Sequence, residues 1–172
     1  MAQSRKKNMT PLCSLALLTI LLTCCNGTEC DDYRTTLPLA EFYTATGGTP
    51  QAVTFDSLTI AGIDAPSDSL LADNVRNIQQ ARLPMRIDSH TTSYALVYAT
   101  SPKLLADTVT FDCDPEPYFA SAACGVVYHY HVKSVTHTSL LLDSVVCLSN
   151  PLTNTPLPGI RLYFHTSPEQ QP

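Results

Sequence analysis

Two histidines, His129 and His131, lie two positions apart in a stretch rich in β-branched and aromatic residues. In a β-strand, side chains two positions apart point to the same face and lie about 7 Å apart. Some zinc sites use imidazole pairs of this kind. His137 has the same parity, and Asp112 and Asp114 are candidates for neighbours, but the sequence fixes no third ligand. The pair is therefore a weak candidate for metal binding, and a metal-dependent enzyme or metal-binding domain centred on it is the alternative function.

The sequence contains no familiar catalytic motif. It has no Gly-x-Ser-x-Gly elbow, no His-Glu-x-x-His zinc motif and no Gly-rich phosphate loop. Asp112, Asp114 and Glu116 are spaced like the start of a calcium-binding loop. Pro115 and Pro117 interrupt the series, and the glycine and distal glutamate of such a loop are absent. We therefore expect no catalytic residue, no cofactor and no enzymatic activity.

A short triplet of Asp, then Ser or Thr, then an apolar residue occurs four times in the chain. Such triplets are also typical of strand starts, where polar residues give way to apolar ones. The triplet resembles the acceptor sequence of O-glycosylation systems in Bacteroidetes. On that resemblance, the candidate glycan sites, expected on exposed strand starts, are Ser57, Ser69, Thr108 and Ser144.

Short strands are the elements expected to carry these residues. The predicted strands cover residues 37–46, 52–61, 85–89, 94–100, 108–113, 118–138, 140–148 and 160–165. Residues 62–82 fit a short helix or a crossover loop equally well, and residues 114–117, with two prolines, predict a rigid turn. In the longest stretch, the even positions from Val126 are expected to face the core. The pattern predicts an all-β, antiparallel β-sandwich of Ig-like or jelly-roll type.

The N-terminal residues 12–25, LCSLALLTILLTCC, have the features of a bacterial lipoprotein signal peptide. Three cations precede an apolar core of about a dozen residues, whereas a membrane-spanning helix needs roughly 20. A lipoprotein signal peptidase requires an aliphatic residue three positions before the modified cysteine. Leu22 satisfies this rule for Cys25, which we favour as the acylated residue, and Cys24 is the alternative.

This assignment divides the chain into four parts. Residues 1–24 are the signal peptide, 25–36 a polar tether, 37–168 a single sandwich domain and 169–172 a disordered tail. Removal of the signal leaves 7 basic against 15 acidic residues, a net charge of −8, which argues against nucleic-acid binding. We expect a lipoprotein of unknown specific activity, held in the bilayer by N-terminal acyl chains such as palmitate, that acts as a binding or structural component. Its location would be the cell envelope, in the outer membrane on either face, with envelope proteins as partners.

Four cysteines remain in the mature chain: Cys30, Cys113, Cys124 and Cys147. An even number of cysteines in an exported protein predicts two disulfide bonds, with three possible pairings. A zinc site is disfavoured because the spacings of 83, 11 and 23 residues contain no close Cys pair.

Several short motifs together resemble a family of small Bacteroidetes lipoproteins that are classed as a domain of unknown function. Ala123-Cys124-Gly125 is the most specific of them, and it is accompanied by a cysteine in an acidic tether (Cys30), Leu83-Pro84-Met85 and a terminal Ile160-Arg161-Leu162-Tyr163. The resemblance implies an all-β envelope domain without known activity. It also implies the pairing Cys30–Cys124, which leaves Cys113–Cys147. This second pair and the two histidines are not part of the family pattern.

Overall fold

The computed structural model describes residues 36–45, 49–65, 69–98, 105–122 and 124–165. These residues form nine β-strands, and no helix among them is long and apolar enough to cross a membrane. The strands are β1 (Leu39–Thr44), β2 (Leu58–Ile63), β3 (Leu70–Val75), β4 (Gln80–Arg82), β5 (Thr91–Tyr98), β6 (Leu105–Ser121), β7 (Gly125–His137), β8 (Leu142–Cys147) and β9 (Pro158–Phe164).

Two sheets pack against each other. One has the strand order β4-β1-β9-β8 and the other β3-β2-β5-β6-β7. All these neighbours are antiparallel except β1 and β9, which run parallel. The prediction of an all-β sandwich is confirmed, and the parallel pair brings the first and last described strands to the middle of the smaller sheet.

Aromatic side chains from both sheets fill the space between them. Phe42 and Phe164 from the smaller sheet contact each other edge to face, with ring centroids 6.0 Å apart. Phe55 lies 4.8 Å from Phe164 and stacks on Tyr98 of the larger sheet at 5.7 Å. All four are fully buried. Each aromatic of this size is worth about 2–3 kcal/mol when buried, so this cluster holds the two sheets together.

The prediction for residues 62–82, a helix or a crossover loop, was wrong. β2 and β3 form an antiparallel pair there, followed by the short strand β4. β3 is at the edge of the larger sheet and buries little of its surface, so its sequence carries only a weak two-residue alternation. Asn74 and Asn77 adopt positive φ angles of 49° and 56°, which Asn tolerates better than most residues, and they turn the chain from β3 toward β4.

The predicted turn at residues 114–117 is also absent, because β6 runs straight through it. Pairing between β5 and β6 ends at Asp112, so farther along β6 has β7 on one side and no described strand on the other. The Cys113 amide donates to the His90 carbonyl at 2.7 Å on the side away from β7. Pro115 and Pro117 are two and four residues after Cys113, so their backbone nitrogens point to the same side of β6 as the Cys113 amide, away from β7. Because no described strand pairs with β6 on that side, the missing N–H groups cost the sheet no hydrogen bond.

The predicted strand 118–138 is divided between the end of β6 and β7, with Gly125 opening β7 at a φ of 73°. Tyr130 and Val132 face the core, as the alternation predicted, whereas the prediction was wrong for Val126, which is 53% exposed. Cys113 pairs with Val132 whereas the preceding residue of β6 pairs with Ser134, so Lys133 is an extra residue in a β-bulge. Beyond the bulge the parity changes, and Val135 rather than its even-numbered neighbours packs against the core.

Candidate functional site: the β6–β7 arm

Strands β6 and β7 continue beyond the rest of their sheet as a two-stranded hairpin. We call residues 114–121 and 125–131 the arm. β5 no longer pairs with β6 along this part, while β6 and β7 remain in register almost to the turn. Most of the arm's side chains on β6 are exposed. The exposed side chains of the arm are therefore accessible to another molecule.

Charged side chains occupy the base of one face of the arm. Lys133 Nζ lies 2.6 Å from Asp114 Oδ1, and His90 Nδ1 lies 3.1 Å from the same oxygen. The hydrogen bond from Lys133 holds the pKa of Asp114 below its usual value. His131 Nε2 lies 2.6 Å from Glu116 Oε2. These pairs are exposed to solvent, so they contribute little to stability but fix the charge pattern of this face.

The structure gives His129 and His131 different partners. His131 contacts Glu116, whereas His129 stacks on Tyr118 with ring centroids 4.8 Å apart and an interplanar angle of 17°. Within the described part of the chain, no three His, Cys, Asp or Glu side chains converge as metal ligands would. The two histidines predicted as a weak metal pair therefore belong to two separate side-chain pairs on the arm.

The tip of the arm exposes apolar side chains. Phe119 on β6 is directly opposite Val126 on β7, and they are 64% and 53% exposed. Tyr118, on the other face, is 51% exposed. Exposed apolar side chains that are neighbours in space are typical of interaction surfaces. Sequence reasoning missed this pair because it placed a turn before Phe119 and so did not expect the two strands to meet here.

Cys124, in the turn of the arm, forms a disulfide bond. Its partner lies outside the described residues, since the other two described cysteines, Cys113 and Cys147, are free thiols. Cys30 and the predicted lipidation sites Cys25 and Cys24 also lie outside the described residues. The pairing Cys30–Cys124 therefore stays a prediction, while the participation of Cys124 in a disulfide is confirmed.

The predicted bond between Cys113 and Cys147 is wrong for this structure. Cys113 is on β6 and Cys147 on β8, so they belong to different sheets. Both cysteines carry free thiols in this structure. Burial raises the pKa of the Cys113 thiol to about 12 and raises that of Cys147 as well. Both behave as small apolar core residues.

A buried carboxylate, Asp107, fixes the base of the same hairpin. Its Oδ1 accepts hydrogen bonds from the Thr138 hydroxyl at 2.6 Å and the Leu140 amide at 2.7 Å. Its Oδ2 accepts from the amides of Leu141 and Leu142 and, at 3.2 Å, from the phenol of Tyr98. Burial opposes ionisation, but the donors outweigh it, so the pKa of Asp107 lies below its ordinary value. Five donors occupy this carboxylate, so its role is structural.

The four hydroxyls predicted as glycan acceptors divide into two groups. Ser57 and Ser69 directly precede β2 and β3, as predicted. Thr108 and Ser144 instead lie inside β6 and β8, so the expectation of strand starts was wrong for them. All four are half-buried rather than fully exposed. The aspartate of the Thr108 triplet is Asp107. Its buried, hydrogen-bonded carboxylate gives this triplet a structural reason that involves no glycan.

Comparison with known proteins gives one match. The model of a family of unknown function, DUF6452, matches residues 57–164, from just before β2 to the last residue of β9. No curated protein and no solved structure matches the chain. The matched region includes the arm, the buried Asp107 and Cys124. Because this region is more than half of the sequence, the chain belongs to the family of unknown function DUF6452.

Proposed function

We propose that this protein is a lipid-anchored, non-enzymatic component of a bacterial cell envelope that binds another envelope protein through its arm. The observation that carries the proposal is the exposed pair Phe119 and Val126 at the end of a long, well-paired hairpin. A hairpin of this kind holds its side chains in fixed positions, so binding would require little ordering.

The anchor is argued from the sequence. Residues 12–25 combine preceding cations, a short apolar core and two cysteines in the arrangement of a lipoprotein signal, and Cys25 is the favoured acylation site. Acylation of this cysteine with diacylglycerol and a further acyl chain would exceed the two-chain threshold for stable attachment. The resemblance to Bacteroidetes lipoproteins supports an outer-membrane location.

Mass spectrometry of the protein from its own envelope tests the anchor. We expect an N-terminal peptide that begins at Cys25, or at Cys24, and carries the mass of its acyl chains. An unmodified peptide from residues 1–24 on the mature protein would contradict the proposal.

Site-specific photo-crosslinking tests the arm. A photoreactive phenylalanine analogue at Phe119 should crosslink one discrete envelope protein in intact cells. The same analogue at Leu157, which is 71% exposed in the β8–β9 loop, is the matched control and should give no such product. Equal products at both positions, or none at either, would contradict the role of the arm.

No observation on the described residues favours the metal-dependent alternative, because His129 and His131 have separate partners. Metal analysis of the purified protein and of a His131→Ala variant would decide it. Stoichiometric metal that is lost in the variant would support the alternative and count against the proposal.

A further inference from the structure

Most free strand edges in the described part of the fold are protected against pairing with another chain. β4 has only three residues, and β3 pairs irregularly with β2 and exposes Asp73. β6 carries two prolines beyond Asp112, where β5 no longer covers it. Residues 150–152 cover the outer edge of β7 through hydrogen bonds to Tyr130 and Val132. Short length, charge, irregular pairing, proline and a covering loop are the usual protections of a strand edge.

β8 lacks these protections. It is the last described strand of the smaller sheet, and it contains no proline. Its one charged residue, Asp143, lies in a bulge near the start of the strand and pairs with His165. From Ser144 to Cys147 the strand is regularly paired with β9. Among the edges of the described fold, β8 is therefore the one most open to pairing with another strand.

The backbone groups of Val145 and Cys147 point outward from this edge. The Leu148 amide donates to the Gly159 carbonyl of β9 at 2.8 Å, and residues two apart share an edge, so Val146 also faces β9. The alternate residues Val145 and Cys147 therefore present their N–H and C=O groups to the other side, where no described residue bonds to them. Free backbone groups at this spacing are matched by an extended strand.

The burial of the β8 side chains also indicates an uncovered edge. Val145 and Cys147 pack against the core, as do their neighbours on β9, Leu162 and Ile160. The two side chains on β9 are fully buried, whereas the two on β8 are only half-buried. On the outer face of the sheet, Val146 is 42% exposed. A strand beside β8 would cover apolar surface on both faces of the sheet.

We propose that β8 pairs with β8 of a second copy of this chain, antiparallel about a two-fold axis at Val146. The smaller sheets of the two copies then form one continuous sheet. Val145 of each copy exchanges both hydrogen bonds with Cys147 of the other copy, and the two Val146 side chains touch at the axis. Ser144 lies opposite Leu148, which is 43% exposed in the single chain. The arm takes no part in this pairing, so the dimer is independent of the function proposed above.

The occupant is a second copy because β8 is complementary to itself and to no other described edge. In this register no like charges face each other, since Asp143 lies opposite Ser149 and residues 144–149 are uncharged. The protected edges of β3, β4, β6 and β7 do not accept β8 of another copy, so copies do not add head to tail. The association therefore closes as a two-fold dimer, the commonest symmetric assembly.

Cysteine crosslinking of the full chain in intact cells tests the dimer and its register. All variants carry Cys147→Ala, which removes the free thiol next to Val146 and by itself should give no crosslinked product. Opposite residues that exchange no hydrogen bonds have Cα atoms about 4.5 Å apart, a distance that a disulfide spans. Val146→Cys should therefore form a covalent dimer when copper phenanthroline is added as the oxidant.

Ser144→Cys is the matched control, because it lies on the same face of the same strand. Its two copies would be roughly 14 Å apart, so it should give no covalent dimer. Adding Leu148→Cys to this variant should restore the dimer, because the two positions are opposite each other. No product from Val146→Cys, although its thiol is alkylated, would overturn the proposal. A product that contains a different protein, or an equal product from Ser144→Cys alone, would also overturn it.

A charge at the axis tests the same interface without crosslinking. Val146→Lys places two ammonium groups opposite each other and should weaken the dimer by about tenfold or more, measured by sedimentation velocity on the full chain in detergent. Leu157→Lys, at a position that is 71% exposed between β8 and β9, is the control and should leave the dimer unchanged. A monomeric wild type, or equal effects of the two lysines, would contradict the assignment of β8 as the interface.

Discussion

The hydroxyl of Thr138 lies 2.6 Å from Oδ1 of Asp107, a residue 31 positions earlier in the chain. This contact joins the first turn after β7 to the start of β6. The same carboxylate accepts the amides of residues 140–142, so a single side chain satisfies three consecutive backbone donors where the β7–β8 connection enters β8. Asp107 thereby sets where the chain leaves the larger sheet and enters β8.

Asp107→Asn should destabilise the protein by about 3 kcal/mol, because the substitution removes the charge and directs an amide N–H₂ group toward backbone donors. Urea unfolding followed by circular dichroism measures the change. Asp143→Asn is the control, because Asp143 is exposed and pairs with His165 at the surface. Similar losses in the two variants would contradict the special role of Asp107.

Asp107 should also make stability depend on pH in the acid range. Its pKa is lower in the folded protein than the ordinary Asp value of about 3.9 in the unfolded chain. Its contribution is therefore fully present above about pH 3.9 and is lost as the pH falls through the folded pKa. The free energy of unfolding, measured between pH 2 and 7, should fall less steeply in Asp107→Asn than in the wild type. Parallel curves would contradict the assignment.

Cys113 and Cys147 should react slowly with a thiol reagent in the folded protein, because burial raises the pKa of both and little thiolate forms at neutral pH. Both should react quickly after unfolding in guanidinium without a reductant. Peptide mapping of the alkylated product identifies each residue. Failure of both cysteines to react in the unfolded, non-reduced protein would show that they are bonded.

Restoring the N–H groups on the open edge of β6 should promote self-association. In a Pro115→Ala/Pro117→Ala variant, two amides would face a strand edge that no described residue covers, and such edges pair with other chains. We expect stability to change by less than about 1 kcal/mol, with dimers or larger species detected by light scattering. Pro156→Ala, in the exposed loop between β8 and β9, should leave the protein's association state unchanged.

The strand alternation was sufficient to predict the sandwich, because most core positions follow a two-residue period. In β5, for example, Tyr94, Leu96 and Tyr98 are all buried, as this pattern requires. The two-residue pattern failed to predict the structure where a strand buries few side chains or where a bulge interrupts it. β3 buries little at its edge, and the bulge at Lys133 reverses the parity of β7, which no local sequence signal marks.

The arm was not predictable, because the effect of its prolines on strand pairing depends on which neighbouring strands the tertiary structure provides. A proline in a central strand removes a hydrogen bond, and this general rule led to the prediction of a turn. In the fold, β5 stops pairing at Asp112, so the prolines face an edge that no described strand pairs with. The structural role of Asp107 was hidden for a similar reason, since four of its five donors lie more than 30 residues away along the chain.

The disulfide in the turn of the arm also decides how the domain carries mechanical load. With the Cys30–Cys124 pairing that the family resemblance implies, a pull on the N-terminal side of the chain would enter the fold at Cys124, at the far end of the longest hairpin. It would then not separate β1 from the smaller sheet first. The force would then act along β6 and β7 and draw them past β5, where eight residue pairs in register share it at once. Strands sheared in this way resist separation together, so reduction of one bond would convert a strong attachment into a weak one.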